Sequence, residues 1–390
     1  MKTLIPRRRA QGFTLIELMI SVVIGLLAIL FATRMMTDTE RNKDGALGGS
    51  QSMQNGMMAM FTISGDAEQA GFGLNDPLLV GCNTIFYDRF GYELAEAKRG
   101  EAGVMVRPLA AAVIEHGEAG PDKLSLYSGS AMSGTPTMRL IENYLGSSEL
   151  SIDREPYGFN VGDVIVVAPE DGVDECALAQ ISTLSGSGTP KLGIANTNTR
   201  FNKGELGRNF AGSTSRVFNL GRASGLAFHT WQVEDNVLRL SAANLGNSGN
   251  SQAVADNIVS LKAQYGFDKR AAADFDPEQG MQVGEWSNTM IDADGDGEAG
   301  GPGDYQRISA LRIAVVARNK APERPADGGE CSTTTAVVKV FGSEQPNGVD
   351  PVEVTLDLDD EAATIDWKCY RYRVFETIVP LRNAGWRPTA

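Results

Sequence analysis

Side chains that do chemistry are scarce in this sequence. It holds two histidines, His116 and His229, and four cysteines, none of them in a C-x-x-C pair. A zinc knuckle or a thioredoxin-like dithiol has little to be built from. No H-E-x-x-H, G-x-S-x-G or Walker loop occurs, so the common hydrolase and nucleotide-binding signatures are missing. His116 stands in the acidic, glycine-flanked "IEHGEAG", which predicts a surface residue. His229 stands in an apolar strand pattern, which predicts a core one. Positive charge is short as well: 35 Lys and Arg face 49 Asp and Glu, for a net charge of −14. An acidic body of this size repels polyphosphates, so nucleic acid is not an expected partner. One stretch runs against the trend, with Lys191, Arg200, Lys203, Arg208, Arg216 and Arg222 against the single acid Glu205. It reads as a solvated Asn/Gly-rich loop, the alternative being a contact surface for an acidic partner.

The chain also carries one long apolar run. Residues 13–33, "FTLIELMISVVIGLLAILFAT", contain a single charge, Glu17. As a helix, 21 residues cross a hydrocarbon core of about 30 Å. Arg7, Arg8 and Arg9 precede the run, which predicts a cytoplasmic N-terminus and an exported remainder. A secretory signal would place a small-residue cleavage site after the run, but the chain continues "RMMTDTERNKD". The small residue, Gly12, comes before the run instead. That arrangement fits removal of a basic leader while the apolar helix stays on the mature protein. Loss of the first twelve residues would take four positive charges with it and leave a net charge of −18.

"GFTLIELMISVVIG" resembles the processing site of type IV prepilins and their pseudopilin relatives. The resemblance implies that a prepilin peptidase cuts after Gly12 and methylates the new amine of Phe13. The family's acid falls on Glu17. A charge inside a bilayer is expensive, so one that persists there is a functional candidate. The freed amine of Phe13 on a neighbouring subunit is a cation that Glu17 can pair with. Such pairing would set the axial register of helices packed side by side in a filament.

Beyond the membrane the reading is α+β: a long N-terminal transmembrane helix packed on an antiparallel β-sheet, with β-rich insertions. The expected divisions are a leader over 1–12, a membrane and filament-core helix over 13–33, the periplasmic half of that helix over 34–73, and a β-rich globular region over 74–390. Gly45, Gly48 and Gly49 predict a soft or broken helix over residues 42–50. Met53, Met57, Met60 and Phe61 fall near one helix face and predict packing against a sheet. The helix should end at Gly71 to Gly73. Strands are expected at "DKLSLYS", "GDVIVVAP", "CALAQISTL", "SRVFNL", "GLAFHTWQV" and "NVLRLSA", with a hairpin at "VEDNV". "NIVSLKAQYGFD" fits a strand or a short helix, "ISALRIAVVARN" a buried strand, and "YRYRVFETIVPLRN" a long late strand. Residues 185–215 and 320–330 resemble loose insertions. Four exported cysteines, Cys82, Cys176, Cys331 and Cys369, suggest two disulfides. Of three pairings, Cys82–Cys176 with Cys331–Cys369 is favoured because each closes a loop within one region, though sequence does not choose strictly.

Several exported segments resemble PilW-type minor pilins: "AEQAGFGLNDPLLVGC", "NIVSLKAQYGFD", "YQRISALRIAVVARN" and "YRYRVFETIVPLRNAGW". This implies a non-enzymatic, low-copy subunit near the pilus tip, in an inner membrane before assembly and on the cell surface after it. Its implied partners are other minor pilins, the major pilin, a PilY-type tip adhesin and an inner-membrane assembly platform. The rival readings are a type II secretion pseudopilin and a membrane-tethered periplasmic enzyme.

"DADGDGEAGGPGD" is the metal candidate, the alternative being a solvated acidic turn. Asp292, Asp294 and Asp296 followed by Gly297 match the first half of an EF-hand loop, in which alternating carboxylates converge on calcium. The twelfth position is Gly303 rather than Glu; Asp304 would stand in for it, and Glu298 would supply a carbonyl or its side chain.

Overall fold

The computed structural model describes residues 14–383 and 385, apart from 119, 131–136, 171–174, 187, 246–250, 324, 326–328 and 360–364; the side chains at 38 and 40–47 are also left aside. A single helix of 55 residues, Leu15–Gln69, leads into the β region. At 1.5 Å per residue it is about 80 Å long. Its first part, Leu15–Thr37, has a mean hydropathy of 2.7 and buries nothing against the rest of the chain.

The expected break at 42–50 does not occur: the helix runs through Gly45, Gly48 and Gly49 without interruption. The reason lies in packing. Beyond residue 48 the buried positions are Ser52, Gly56, Ala59, Ile63 and Ala67, a narrow face of mostly small residues. Gly48 lies against the Asn319 side chain and Gly49 within reach of Arg373. Ser52 Oγ donates to Asn319 Oδ1 at 3.0 Å. At Gly56 a Cβ would stand 2.0 Å from the Phe375 ring. These glycines let the helix lie close on the sheet, and tertiary contact outweighs their low helix propensity. Gly56→Ala should therefore push Phe375 aside and lower stability by about 1–3 kcal/mol. Thermal unfolding of the variant checks this, and the Gly56→Ala, Phe375→Leu double variant should recover part of the loss.

The methionine stripe is also not where the pattern puts it. Met53, Met57 and Phe61 are exposed, Phe61 by 81%, and only Met60 packs partly on the core. The spacing is helical, but the sheet meets the neighbouring small-residue face instead. The helix ends at Gln69, and Gly71 and Gly73 turn the chain with φ of 82° and 74°.

Beneath the helix lies a four-stranded antiparallel sheet in the order Glu285–Ser287, Ile258–Phe267, Ile308–Arg318, Tyr372–Pro380. Thus "NIVSLKAQYGFD" is a strand. A five-stranded sheet follows, Gln252–Asp256, Val237–Ala242, Ala227–Glu234, Lys123–Ser128 and Ala112–Glu115. Its "VEDNV" hairpin turns on Asp235 and Asn236, with φ of 51° and 60°, as a two-residue turn requires.

A six-stranded sheet forms the wall between two cores. Strand Asp163–Pro169 is buried at all seven positions. Val164, Val166 and Ala168 face the core shared with the helix, while Ile165 and Val167 face a second core with Leu150, Ile152, Leu192 and Phe210. Residues 185–215 are accordingly not a loose insertion. Leu192, Phe201, Leu206 and Phe210 are buried, and Lys191–Gly193 is the middle strand of a three-stranded sheet. Four of the eleven residues at 320–330 lie outside the described set. Cys82 pairs with Cys176, tying two neighbouring parallel strands of the wall, and Cys331 pairs with Cys369.

Candidate functional site

Gly12 and Phe13 lie outside the described residues. Glu17 stands one turn into the helix, in a segment fully exposed in the single chain. Its Oε2 accepts from Thr14 N at 3.0 Å and from Thr14 Oγ1 at 2.8 Å, while Glu17 N donates to Thr14 Oγ1 at 3.4 Å. This is a reciprocal capping box, and it starts the helix at residue 15. The T-x-x-E spacing could have revealed it from sequence. Among the described residues Glu17 thus satisfies its own helix terminus through one carboxylate oxygen.

The acidic loop brings Asp292, Asp294 and Asp296 together, each offering an oxygen within 4.8 Å of the others. Main-chain bonds shape it: Asp292 accepts from Gly295 N and Gly297 N, Asp294 from Asp296 N, and Asp296 from Glu298 N. Gly295 and Gly297 take φ of 82° and 93°, which bend the chain so that the carboxylates converge. At Gly303 a Cβ would meet Asp294 Oδ2 at 1.7 Å, so a larger residue at the twelfth position would displace the Asp294 carboxylate. Asp304 does not stand in as expected. It is fully buried, and its oxygens accept from the amides of Ala293, Asp294, Gly300 and Gly301. Asp304 fixes the loop from behind. Burial pushes its carboxyl up to about 6. Glu298 is also apart from the trio, its carboxylate lying near Gly100. Burial, with Asp296 and Asp292 adding to it, raises the Asp294 carboxyl. Three convergent oxygens form a donor set of the hard kind, and the trio could bind a metal ion.

The histidines sit differently from the expectation. His116 is half-buried, its Nδ1 3.0 Å from Asp122 Oδ1. The same oxygen accepts from Lys262 Nζ at 2.9 Å, and Lys262 and Asp122 are each 1% exposed. Asp122 also accepts from the amides of Gly117 and Ala263. This ion pair joins the start of strand Lys123–Ser128 to strand Ile258–Phe267. His229 contacts Asp66 Oδ1 at 2.8 Å, and Trp231 Nε1 donates to Asp66 Oδ2 at 2.7 Å, so one helix carboxylate pins the helix end to the second sheet. The basic stretch is largely consumed internally. Arg200 grips Asp88 with two bonds of 2.7 and 2.8 Å, Lys191 meets Glu149 at 2.9 Å, and Arg216 meets Glu170 at 2.8 Å. Arg208 lies over the Phe210 ring and Lys203 over Tyr87. Arg222, the sixth cation of the stretch, is exposed at the end of its strand.

The family described as Type IV Pilus-assembly protein W matches residues 224–383, and the prokaryotic N-terminal methylation motif matches residues 7–33. The first match covers the four-stranded sheet that carries the helix; the second covers the exposed apolar span with Glu17. The chain carries a PilW-type domain behind a type IV pilin-like N-terminal segment. No curated protein and no solved structure matches it. Residues 34–223 lie outside both matched segments, so the wall between the two cores and the second core fall almost wholly there. The PilW match includes the acidic loop, Cys331 and Cys369.

Proposed function

We propose that this chain is a minor pilin that primes type IV pilus assembly and resides at or near the pilus tip. There it joins other minor pilins and a PilY-type adhesin, supporting twitching and adhesion. The observation that carries the reading is the pairing of an apolar helix, uncovered over residues 15–37, with a PilW-matched sheet at its other end. The helix enters the filament core after Gly12 is cut from Phe13, and Glu17 meets the methylated amine of a neighbour. Before assembly the chain spans the inner membrane once, with its β region in the periplasm. Deleting the gene should abolish surface pili and twitching and leave exoprotein secretion intact. Normal pili with lost secretion would instead identify a type II secretion pseudopilin.

The acidic trio is read as a calcium site that stiffens the loop. Five acids between residues 292 and 304 repel one another, and a divalent ion relieves this. Binding at a hundredfold excess over Kd stabilises a fold by about 2.7 kcal/mol, a rise of several degrees in melting temperature. The Asp292→Ala, Asp294→Ala double variant should lose that calcium-dependent rise. An unchanged response to calcium in the variant would remove the site.

A further inference from the structure

The sequence holds two Asn–Gly pairs, Asn55–Gly56 and Asn347–Gly348. An asparagine before glycine can modify itself, because attack by the next main-chain nitrogen on the side-chain carbonyl carbon closes a five-membered ring. Glycine has no Cβ to crowd that approach. Two conditions decide whether the ring forms. The asparagine side chain must be free to turn over its own main chain, and the glycine nitrogen must not be held in a hydrogen bond.

At Asn55 both conditions fail. The pair lies inside helix Leu15–Gln69, where the Gly56 N–H is held by the Ser52 carbonyl four residues earlier. Asn55 Nδ2 donates to Asp256 O at 2.8 Å, which fixes the amide against the five-stranded sheet. Gly56 is buried against the Phe375 ring. Ring closure here requires the helix to lift from the sheet.

At Asn347 both conditions are met. Residues 342–348 are all exposed. Among the described residues no hydrogen bond engages the Asn347 side chain or the Gly348 N–H; the one main-chain bond at this crest runs from Val349 N to Pro346 O. A Cβ added at Gly348 would meet nothing within 4 Å, so space is open around the attacking nitrogen. The arms of the loop are nevertheless anchored. Phe341 N donates to Glu376 Oε1 at 2.8 Å and Arg312 Nη2 to Ser343 Oγ at 2.7 Å. Trp286 Nε1 donates to Gln345 O and Gln264 Nε2 to Val352 O, each at 2.6 Å. Gln264 and Arg312 are paired in register with Ile378, so they lie on the face of the sheet away from Phe375 and the helix. The crest stands outside these anchors, and ring closure there requires no unfolding.

We propose that Asn347 is a self-modification site. Gly348 N attacks Asn347 Cγ, an N–C bond forms, the Cγ–Nδ2 bond breaks, and the amide nitrogen leaves as ammonia with the proton from Gly348 N. Water then opens the imide. Addition at Cγ restores the ordinary main chain with an aspartate; addition at the main-chain carbonyl leaves an isoaspartate, whose chain runs through the former side chain. Bulk water is the only co-reactant, and nothing is oxidised or reduced. Either product places a carboxylate beside Glu344, Asp350 and Glu353, in a loop with no basic residue between 341 and 353. With age each chain thus gains a negative charge on one exposed loop of the exported region while the anchored fold is kept. The proposal goes beyond the pilus reading and does not depend on it.

The purified full-length chain, aged at neutral pH in heavy-oxygen water, tests this by peptide mass spectrometry. Label at Asn347 should accumulate in the native chain within threefold of its rate in the guanidinium-unfolded chain, as both aspartate and isoaspartate. Label at Asn55 should accumulate at least tenfold more slowly in the native chain than in the unfolded one, since it waits for local opening. Asn347→Gln keeps an amide but needs a six-membered ring, so position 347 should stay unlabelled and thermal unfolding should not shift. Three results would overturn the proposal: native labelling of Asn347 tenfold or more below its unfolded rate, native labelling of Asn55 at its unfolded rate, or equal labelling at position 347 in the Asn347→Gln variant.

Discussion

Glu17→Ala and Glu17→Gln should both leave Gly12–Phe13 cleavage intact and both reduce incorporation into pili by roughly tenfold or more. The comparison isolates the charge. Glutamine can still close a capping box with Thr14, so its helix begins as in the wild type, whereas alanine loses the cap. If register depends on attraction between Glu17 and a neighbour's methylated Phe13 amine, the two variants fail alike. Immunoblotting of sheared pili, beside N-terminal mass spectrometry of the mature chain, reads both steps. Normal incorporation of Glu17→Gln would reduce the acid to a cap, and a mature chain beginning elsewhere than Phe13 would remove its counterpart.

The largest effect on stability is expected at Lys262. Lys262→Ala should cost about 3–5 kcal/mol, because it leaves Asp122 charged and buried with its cation gone. Lys262→Met separates charge from packing: the stem stays and the ammonium goes. Most of the loss should persist in the methionine variant, as Asp122 keeps only N–H donors from Gly117 and Ala263 and the His116 ring. Denaturant unfolding of the full chain measures both. A methionine variant within 1 kcal/mol of wild type would mean that the pair contributes packing alone.

Much of the fold was legible because local patterns agree with the tertiary result. Continuous apolar runs such as "GDVIVVAP" and "ISALRIAVVARN" became strands Asp163–Pro169 and Ile308–Arg318, and "DN" marked a hairpin. What misled was information held by partners distant in sequence. Gly48 and Gly49 read as helix breakers until Asn319 and Arg373 are seen against them. Met53 and Phe61 read as core because helical spacing identifies a face without saying what it meets. Polar composition hid Phe201, Leu206 and Phe210, the first buried in the core shared with the helix and the other two in the second core. At the candidate sites, the Asp292, Asp294 and Asp296 spacing was readable, but the role of Asp304 was not. Its four amide partners are fixed only once the loop is folded. Lys262 and Asp122 lie 140 positions apart, and nothing local to either predicts the other.

Because the helix lies lengthwise along Tyr372–Pro380, a pull transmitted from the membrane-side end is directed along both elements. Contacts from Gly49 to Ala70 then share the load side by side, in shear, and none can be unzipped before its neighbours. Neither cystine lies in that path, so traction on this subunit would be borne by close packing and the Asp66 clamp, leaving the sulfur bridges to hold the outlying segments they close.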